Sequence, residues 1–177
     1  LNKTAGVNAI GVGGFSITTN SATTGTVRLG ASNQIADTAP IRVDGAFSGG
    51  IATFDLAGFS EAVGDITMRS VTQTTGGSFI TIGAGTLTLN GNVTFNADRN
   101  SPDNTGNEIQ ITSSGVGTLN LNGTRTFTVN STNTGVNLIH ANATTGALIS
   151  NGKIVKEGPR GLVIANSANR FVGGVDV

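Results

Sequence analysis

The chain contains no cysteine, tryptophan or tyrosine, and only one methionine among its 177 residues. The absence of cysteine excludes disulfide bonds and thiolate metal sites. Without Trp and Tyr, any core must be filled by 8 phenylalanines together with Val, Ile, Leu and Ala. Small aliphatic residues pack well in thin, repeating layers, so the composition indicates a repetitive β fold rather than a thick irregular core.

Charge is also scarce, because charged residues make up 11% of the chain and the ten basic groups balance the ten acidic ones. Soluble domains usually carry about 25% charged residues. A neutral chain with scattered basic residues offers no electrostatic footprint for nucleic acid or an anionic membrane. No apolar run approaches the ~18 residues of a membrane-spanning helix. No signal-peptide pattern opens the chain, which starts within its repeating pattern, so we expect a segment of a longer protein.

Short alternating runs closed by Gly or Asn recur along the whole chain, whereas no window has the apolar spacing of an amphipathic helix. Alternation with period 2 directs one side-chain set inward and its Thr, Asn or Ser partners outward. Gly-Gly and Asn-Gly pairs between the runs are turn signals. The predicted strands are Phe15–Thr19, Thr26–Leu29, Ile41–Val43, Ile51–Leu56, Ser78–Ile82, Thr86–Leu89, Ile109–Ile111, Thr118–Leu121, Arg125–Val129 and Leu162–Ile164.

An internal repeat indicates how these strands are arranged. The run GTLTLNGNVTF at Gly85–Phe95 reappears 32 residues later as GTLNLNGTRTF at Gly117–Phe127, with weaker echoes at Gly25–Gly30 and Gly161–Asn166. Strand sequences that recur at uneven spacing are typical of a solenoid, in which each coil stacks on the previous one. A β-sandwich is the alternative, but it has little reason to repeat one strand sequence.

We therefore predict a single continuous right-handed parallel β-helix over residues 1–177, with a β-sandwich as the alternative fold. Solenoid repeats of roughly 20–25 residues give about seven or eight coils. At ~4.8 Å per coil, the rod would be about 35–40 Å long. The segment NSPDNTG at residues 100–106 contains a proline and no apolar residue, so we expect it to form a surface loop.

The segment NGKIVKEGPRGLVIANSANRFVGGVDV at Asn151–Val177 resembles the autotransporter-associated β-strand repeat, also called the passenger-associated transport repeat. Two positions depart from that pattern, since Arg160 stands where Gly is usual and Gly161 where Thr is usual. The matching repeat-motif positions are Gly152, Lys156, Gly158, Leu162, Ile164, Asn169, Phe171, Gly173 and Gly174.

Two further stretches, Val27–Gly45 and Phe54–Ile66, resemble the connecting sequence of large tandem-repeat proteins of this kind. The resemblance implies a right-handed parallel β-helix that forms the passenger of a large bacterial surface protein. It also implies an extracellular or cell-surface location. It does not identify a partner, and we expect no membrane-anchoring barrel within this segment.

An enzyme must be weighed, because polysaccharide lyases and glycosidases can be parallel β-helices. Such sites need paired carboxylates, or an acidic cluster with a basic residue, on one face of adjacent coils. No Asp-Asp, Asp-x-Asp or Glu-x-Asp pair occurs among the ten acids. Asp55 and Asp65 could meet across a coil, but two solvated acids near turns are the favoured interpretation. His140 is a lone histidine without a surrounding motif. We predict no catalytic residue, no cofactor-binding residue and no metal site, and hence no enzyme.

The predicted function is a structural repeat segment of a bacterial extracellular protein, serving as a rigid spacer, filament or coat element. An adhesin passenger that binds a host or neighbouring cell through a surface ligand is the alternative. A polysaccharide lyase or glycosidase is a remote alternative. Neither end of the sequence carries a capping helix or a charged coil, so the expected partners are further β-helix repeats or identical subunits stacked end to end. No nucleic acid and no membrane insertion are expected.

Overall fold

The computed structural model describes most of the chain, and its described part is built from strands, turns and bends without a helix. The predicted loop at residues 100–106 lies outside the described residues. The described residues are 1–20, 22–45, 49–70, 76–97, 107–113, 117–131, 148–159, 161–162, 164, 169–170 and 172–177. The strands are β1 (Phe15–Thr19), β2 (Thr24–Arg28), β3 (Ile41–Gly45), β4 (Ile51–Asp55), β5 (Glu61–Val63), β6 (Ile66–Ser70), β7 (Gly76–Thr81), β8 (Thr86–Leu89), β9 (Val93–Ala97), β10 (Asn107–Thr112), β11 (Thr118–Ser131), β12 (Leu148–Glu157) and β13 (Val175–Asp176).

These strands form two parallel sheets. The first sheet has the order β1-β3-β6-β9-β11-β12-β13, and β5 and β8 join it through β11. The second sheet has the order β10-β7-β4-β2. Every strand pair in both sheets is parallel, and each strand pairs with one from the next coil. This arrangement is a parallel β-solenoid and confirms the predicted fold class over the β-sandwich, whose sheets are antiparallel.

The predicted number of coils is too high. Four coils contribute a strand to the second sheet, so the structure describes about 4 complete turns rather than seven or eight, while the first sheet continues through seven stacked strands. The reason is the length of each coil: Phe15 pairs with Ile41 and Ile41 with Ile66, but hydrogen bonds between later coils join residues 27, 32 and 34 positions apart. Corners and loops therefore use more residues than the 20–25 expected per coil.

The core is a set of apolar columns that run through successive coils. In one column Ile41, Ile66 and Val93 occupy the same inward position of β3, β6 and β9, and Phe127 of β11 follows them. All four are at most 3% exposed. Parallel columns are Val43–Met68–Phe95–Val129, Leu87–Leu119–Ile149 and Phe54–Ile80–Ile111. Because rungs lie ~4.8 Å apart, each side chain contacts those directly above and below it.

The internal repeat lies in neighbouring coils, but its register changes partway. Leu87 faces Leu119, as the 32-residue offset predicts. Beyond the corner at Asn122, the offset is two residues longer, so Phe127 faces Val93 rather than Phe95. A slip of two residues preserves the period-2 alternation, so every inward side chain stays inward. Phe95 and Phe127 still stack as neighbours, with ring centroids 6.3 Å apart.

The two sheets approach each other at a glycine corner formed by Gly45, Gly77 and their neighbours. A Cβ atom at Gly45 would lie 2.1 Å from the carbonyl oxygen of Gly77. The Gly45 N–H donates to Ser78 Oγ at 2.8 Å, and this hydroxyl donates in turn to the Arg69 carbonyl. The corner therefore requires glycine for close backbone approach and a serine to bridge the two strands.

Replacing Gly45 by alanine should destabilise the protein by about 1–3 kcal/mol, because the new methyl group forces two backbones apart. Gly11→Ala is the matched control, since a Cβ at Gly11 meets nothing within 4 Å. We expect that control to change stability by less than ~0.5 kcal/mol. Urea unfolding of both variants measures the difference, and equal stabilities would contradict the described corner.

Candidate functional site: the last coil, the polar corners and the outer face

The motif glycines of the last coil lie directly on the coil before it. A Cβ atom at Gly152 would lie 2.0 Å from the carbonyl oxygen of Gly123. At Gly158, where φ is +80°, it would lie 2.4 Å from the carbonyl oxygen of Val129. No side chain fits between these backbones. Both glycines are therefore required for packing between coils.

Lys156 and Asn169 form side-chain hydrogen bonds to backbone groups at the end of the stack. The parallel register places the half-buried Lys156 opposite Phe127, and its Nζ donates to the carbonyls of Glu157 at 2.8 Å and Gly158 at 2.7 Å. A lysine stem thus follows the aromatic ring at this inward position, with its charge turned toward carbonyl groups. Asn169 Oδ1 accepts the Ile149 N–H at 3.0 Å.

The remaining motif positions also belong to the last coil. Leu162 and Ile164 are partly buried against the core. Gly173 donates its N–H to the Gly152 carbonyl, and Gly174 accepts the Ile154 N–H. Phe171 lies outside the described residues. The described motif positions thus serve coil-to-coil packing and backbone pairing.

Arg125 is a structural residue that the sequence did not single out. Its Nε donates to the carbonyl oxygens of Leu89 at 3.0 Å and Leu121 at 2.7 Å, and its Nη2 donates to the Asn122 carbonyl at 2.6 Å. Arg125 lies in the corner that is two residues longer in the second repeat, and it links two coils through their carbonyl groups. The two repeats align without a gap at the 32-residue offset, so the longer corner appears only in the strand register and the sequence carried no sign of the role of Arg125.

Arg125→Met should destabilise the protein by about 2–3 kcal/mol, because hydrogen bonds from a charged donor are lost and three carbonyls lose a partner. Arg28→Met is the control: Arg28 forms a surface ion pair with Asp55 at 3.3 Å, which should contribute under ~1 kcal/mol. Thermal and urea unfolding of both variants test the difference. If Arg125→Met is at least as stable as Arg28→Met, the hydrogen bonds of Arg125 do not hold the two coils together as described.

Glu61 is a carboxylate at an inward position. It is 2% exposed and faces Leu87 of the next coil. Its oxygens accept the Gln34 N–H at 2.7 Å and its neighbour Ala62's N–H at 3.2 Å. Burial raises the pKa of Glu61 above its ordinary 4.5; hydrogen bonds from backbone N–H groups lower it, and the negative charge of Asp37 raises it slightly. Desolvation is the largest of these effects.

The raised pKa of Glu61 predicts a pH-dependent stability difference between the wild type and Glu61→Gln. The Glu61 carboxyl keeps its proton to a higher pH in the folded state than in the unfolded state, whose pKa is 4.5. This difference stabilises the folded state fully below pH 4.5, and the stabilisation is lost as the pH rises through the folded pKa. The wild type should therefore lose stability relative to Glu61→Gln across that window. Melting temperatures from pH 4 to pH 8 measure it. A constant difference, or one that grows in favour of the wild type, would contradict the raised pKa.

Asp55 and Asp65, the pair considered for catalysis, lie apart: Asp55 belongs to the second sheet, and Asp65 lies just before a strand of the first. Asp55 ends β4 on the outer face, where it pairs with Arg28 and accepts the Thr81 hydroxyl at 3.0 Å. Asp65 precedes β6 and accepts the Asn92 N–H at 2.8 Å. Each carboxylate thus has local structural partners. His140 lies outside the described residues.

The outer face of the first sheet carries a shallow polar trough, here called the outer trough, with a volume of about 370 Å³. Its floor follows the strand register, since Thr67, Thr94, Thr128 and Glu157 occupy the same outward position in four successive strands. The residues that line it are Asp65, Ile66, Thr67, Asn92, Thr94, Thr126, Thr128 and Glu157.

The described residues contain no cluster of three His, Cys, Asp or Glu side chains that could hold a metal ion. Across the same ranges, no helix is long and apolar enough to cross a membrane. No family model, curated protein or solved structure matches this chain significantly. The resemblance of residues 151–177 to the autotransporter-associated repeat therefore stays a prediction.

Proposed function

We propose that this chain is a rigid structural segment of a large bacterial extracellular or cell-surface protein. It serves as a spacer, filament or coat element and continues at its ends into further β-helix. The observation that carries the proposal is the concentration of exposed apolar residues at the ends of the stack.

The ends of the first sheet leave inward columns uncovered. Val175 of β13 continues the inward column of Ile154, yet it is 40% exposed. At the other end, β1 has β3 as its one partner among the described strands, and Phe15 is only partly buried. Most of the exposed large apolar residues of the described chain lie near its termini: Val7, Val12, Val172, Val175 and Val177. Ile51 and Phe59 are the two that lie elsewhere. An edge strand beside an open core favours pairing with another strand.

A parallel solenoid suits a mechanical role. Its backbone hydrogen bonds run along the axis, and its core columns hold each coil against the next, so stiffness grows with the number of coils. A contact between opposite ends of identical units does not close on itself, and it therefore builds a filament. A family of such segments could set the length of a surface protein without providing chemistry.

The extracellular location draws support from the sequence. The chain has no cysteine and few charges, and it is rich in Thr, Asn, Ser and Gly. Residues 151–177 resemble the autotransporter-associated repeat, which implies export as a passenger. These features agree with a bacterial surface protein and with further repeats of the same kind as neighbours.

The proposal predicts association through the ends of the stack. We expect the purified chain to form rods whose length grows with concentration, and Val175→Lys to abolish that growth by placing a charge over the open column. Ile51→Lys is the matched control, because Ile51 is 36% exposed but lies on the side of the solenoid in β4. Light scattering coupled to size exclusion and negative-stain electron microscopy provide the measurements.

A wild-type chain that stays monomeric at all concentrations would contradict the proposal that its ends seek further β-helix. Equal inhibition by Val175→Lys and Ile51→Lys would contradict the end-to-end geometry, since it would place the contact on the side of the rod.

A further inference from the structure

We propose that the outer trough binds a linear, uncharged glycan that lies along the solenoid axis. This adds a binding activity to the structural role and does not depend on it. The inference rests on three features of the trough: the regular spacing of its hydroxyl groups, the absence of internal partners for them, and the sign of the charges around them.

The trough presents hydroxyl groups at the repeat of the fold. Thr67, Thr94 and Thr128 stand one above the other in β6, β9 and β11, and their rungs lie ~4.8 Å apart. That spacing is close to the length of one sugar ring in an extended β-1,4-linked glycan. Successive sugar residues can therefore meet equivalent hydroxyls, and a volume of about 370 Å³ leaves room for a short stretch of such a chain.

These hydroxyls have no hydrogen-bond partner among the described residues, unlike the polar columns nearby. Asn122 Nδ2 donates to Asn90 Oδ1 at 2.8 Å, and Asn130 Nδ2 donates to Asn96 Oδ1 at 3.2 Å. The amide groups of these asparagines are therefore already hydrogen-bonded to each other. The threonine hydroxyls of the trough can instead donate to and accept from a ligand.

The charges around the trough favour a neutral ligand. Asp65 and Glu157 provide carboxylate oxygens at opposite ends, and these accept hydrogen bonds from sugar hydroxyls but repel an anion. Three cations lie near the trough in register, and each has a partner: Arg42 binds Asp44 at 2.7 Å, Lys153 binds Asp176, and Arg69 of β6 also has an interaction partner. An anionic glycan would therefore find carboxylates without a free basic partner among these residues.

The trough contains no aromatic side chain for sugar stacking, so hydrogen bonds must provide the affinity. We expect dissociation constants in the millimolar range for one segment. Repeats in a long surface protein would raise the overall affinity, because neighbouring troughs engage one chain together.

The experiment is a titration of the ¹⁵N-labelled full chain with cellohexaose and chitohexaose, followed by NMR chemical shifts; the chain carries Val175→Lys, which prevents rod growth and lies outside the trough. At least one of the two should give saturable shifts at residues of the trough. Thr94→Val should weaken binding about five-fold or more, and Thr53→Val should not, because Thr53 is a half-buried outward threonine of the other sheet. Oligogalacturonate, an anionic glycan, should leave the spectrum unchanged.

If Thr94→Val fails to fold, Thr67→Val replaces it, and the amide spectrum establishes folding for each variant. Absence of saturable shifts with both oligosaccharides up to about 10 mM would overturn the proposal. Equal weakening by Thr94→Val and Thr53→Val, or tighter binding of oligogalacturonate, would overturn it as well. None of these results bears on association through the ends, which is measured separately.

Discussion

In-register stacking of like residues between parallel coils is the constraint on which the rest of the structure depends. Ile41, Ile66 and Val93 share one inward column, so each coil buries its apolar face only when its neighbours are present. No coil is stable alone, which is the general property of solenoids. The same constraint explains the composition, because a thin column has room for Val, Ile, Leu and Phe but none for an irregular thick core.

The corners need additional polar interactions, because the backbone must turn there while its polar groups remain hydrogen-bonded. Ser78 bridges Gly45 and Arg69, and Arg125 joins three carbonyls of two coils. Glu61 accepts backbone N–H groups at an inward position. Polar side chains thus replace the missing ladder bonds where the strands end, since a buried backbone group without a partner is costly.

The fold class followed from the sequence because period-2 alternation and the repeat at Gly85 and Gly117 are local signals. β1 and β8 have the predicted bounds. β5, β6, β9, β12 and β13 were missed: β6 contains Met68 and Arg69 after its two β-branched residues, and β12 continues through Asn151-Gly152, which read as a break. The coil number was wrong because corner lengths leave no periodic trace. The outer trough could not be predicted either, because its threonines are distant in sequence and meet only through the register.

The distance along one outward column tests the parallel stack most directly. Ser16, Arg42, Thr67, Thr94, Thr128 and Glu157 occupy successive rungs. The chain has no cysteine, so spin labels can be placed at engineered cysteines in the pairs 16–94, 16–128 and 16–157. Double electron–electron resonance should give distances near 14, 19 and 24 Å, rising by ~4.8 Å with each coil. Distances that do not rise in even steps of this size would contradict a single stack of parallel coils.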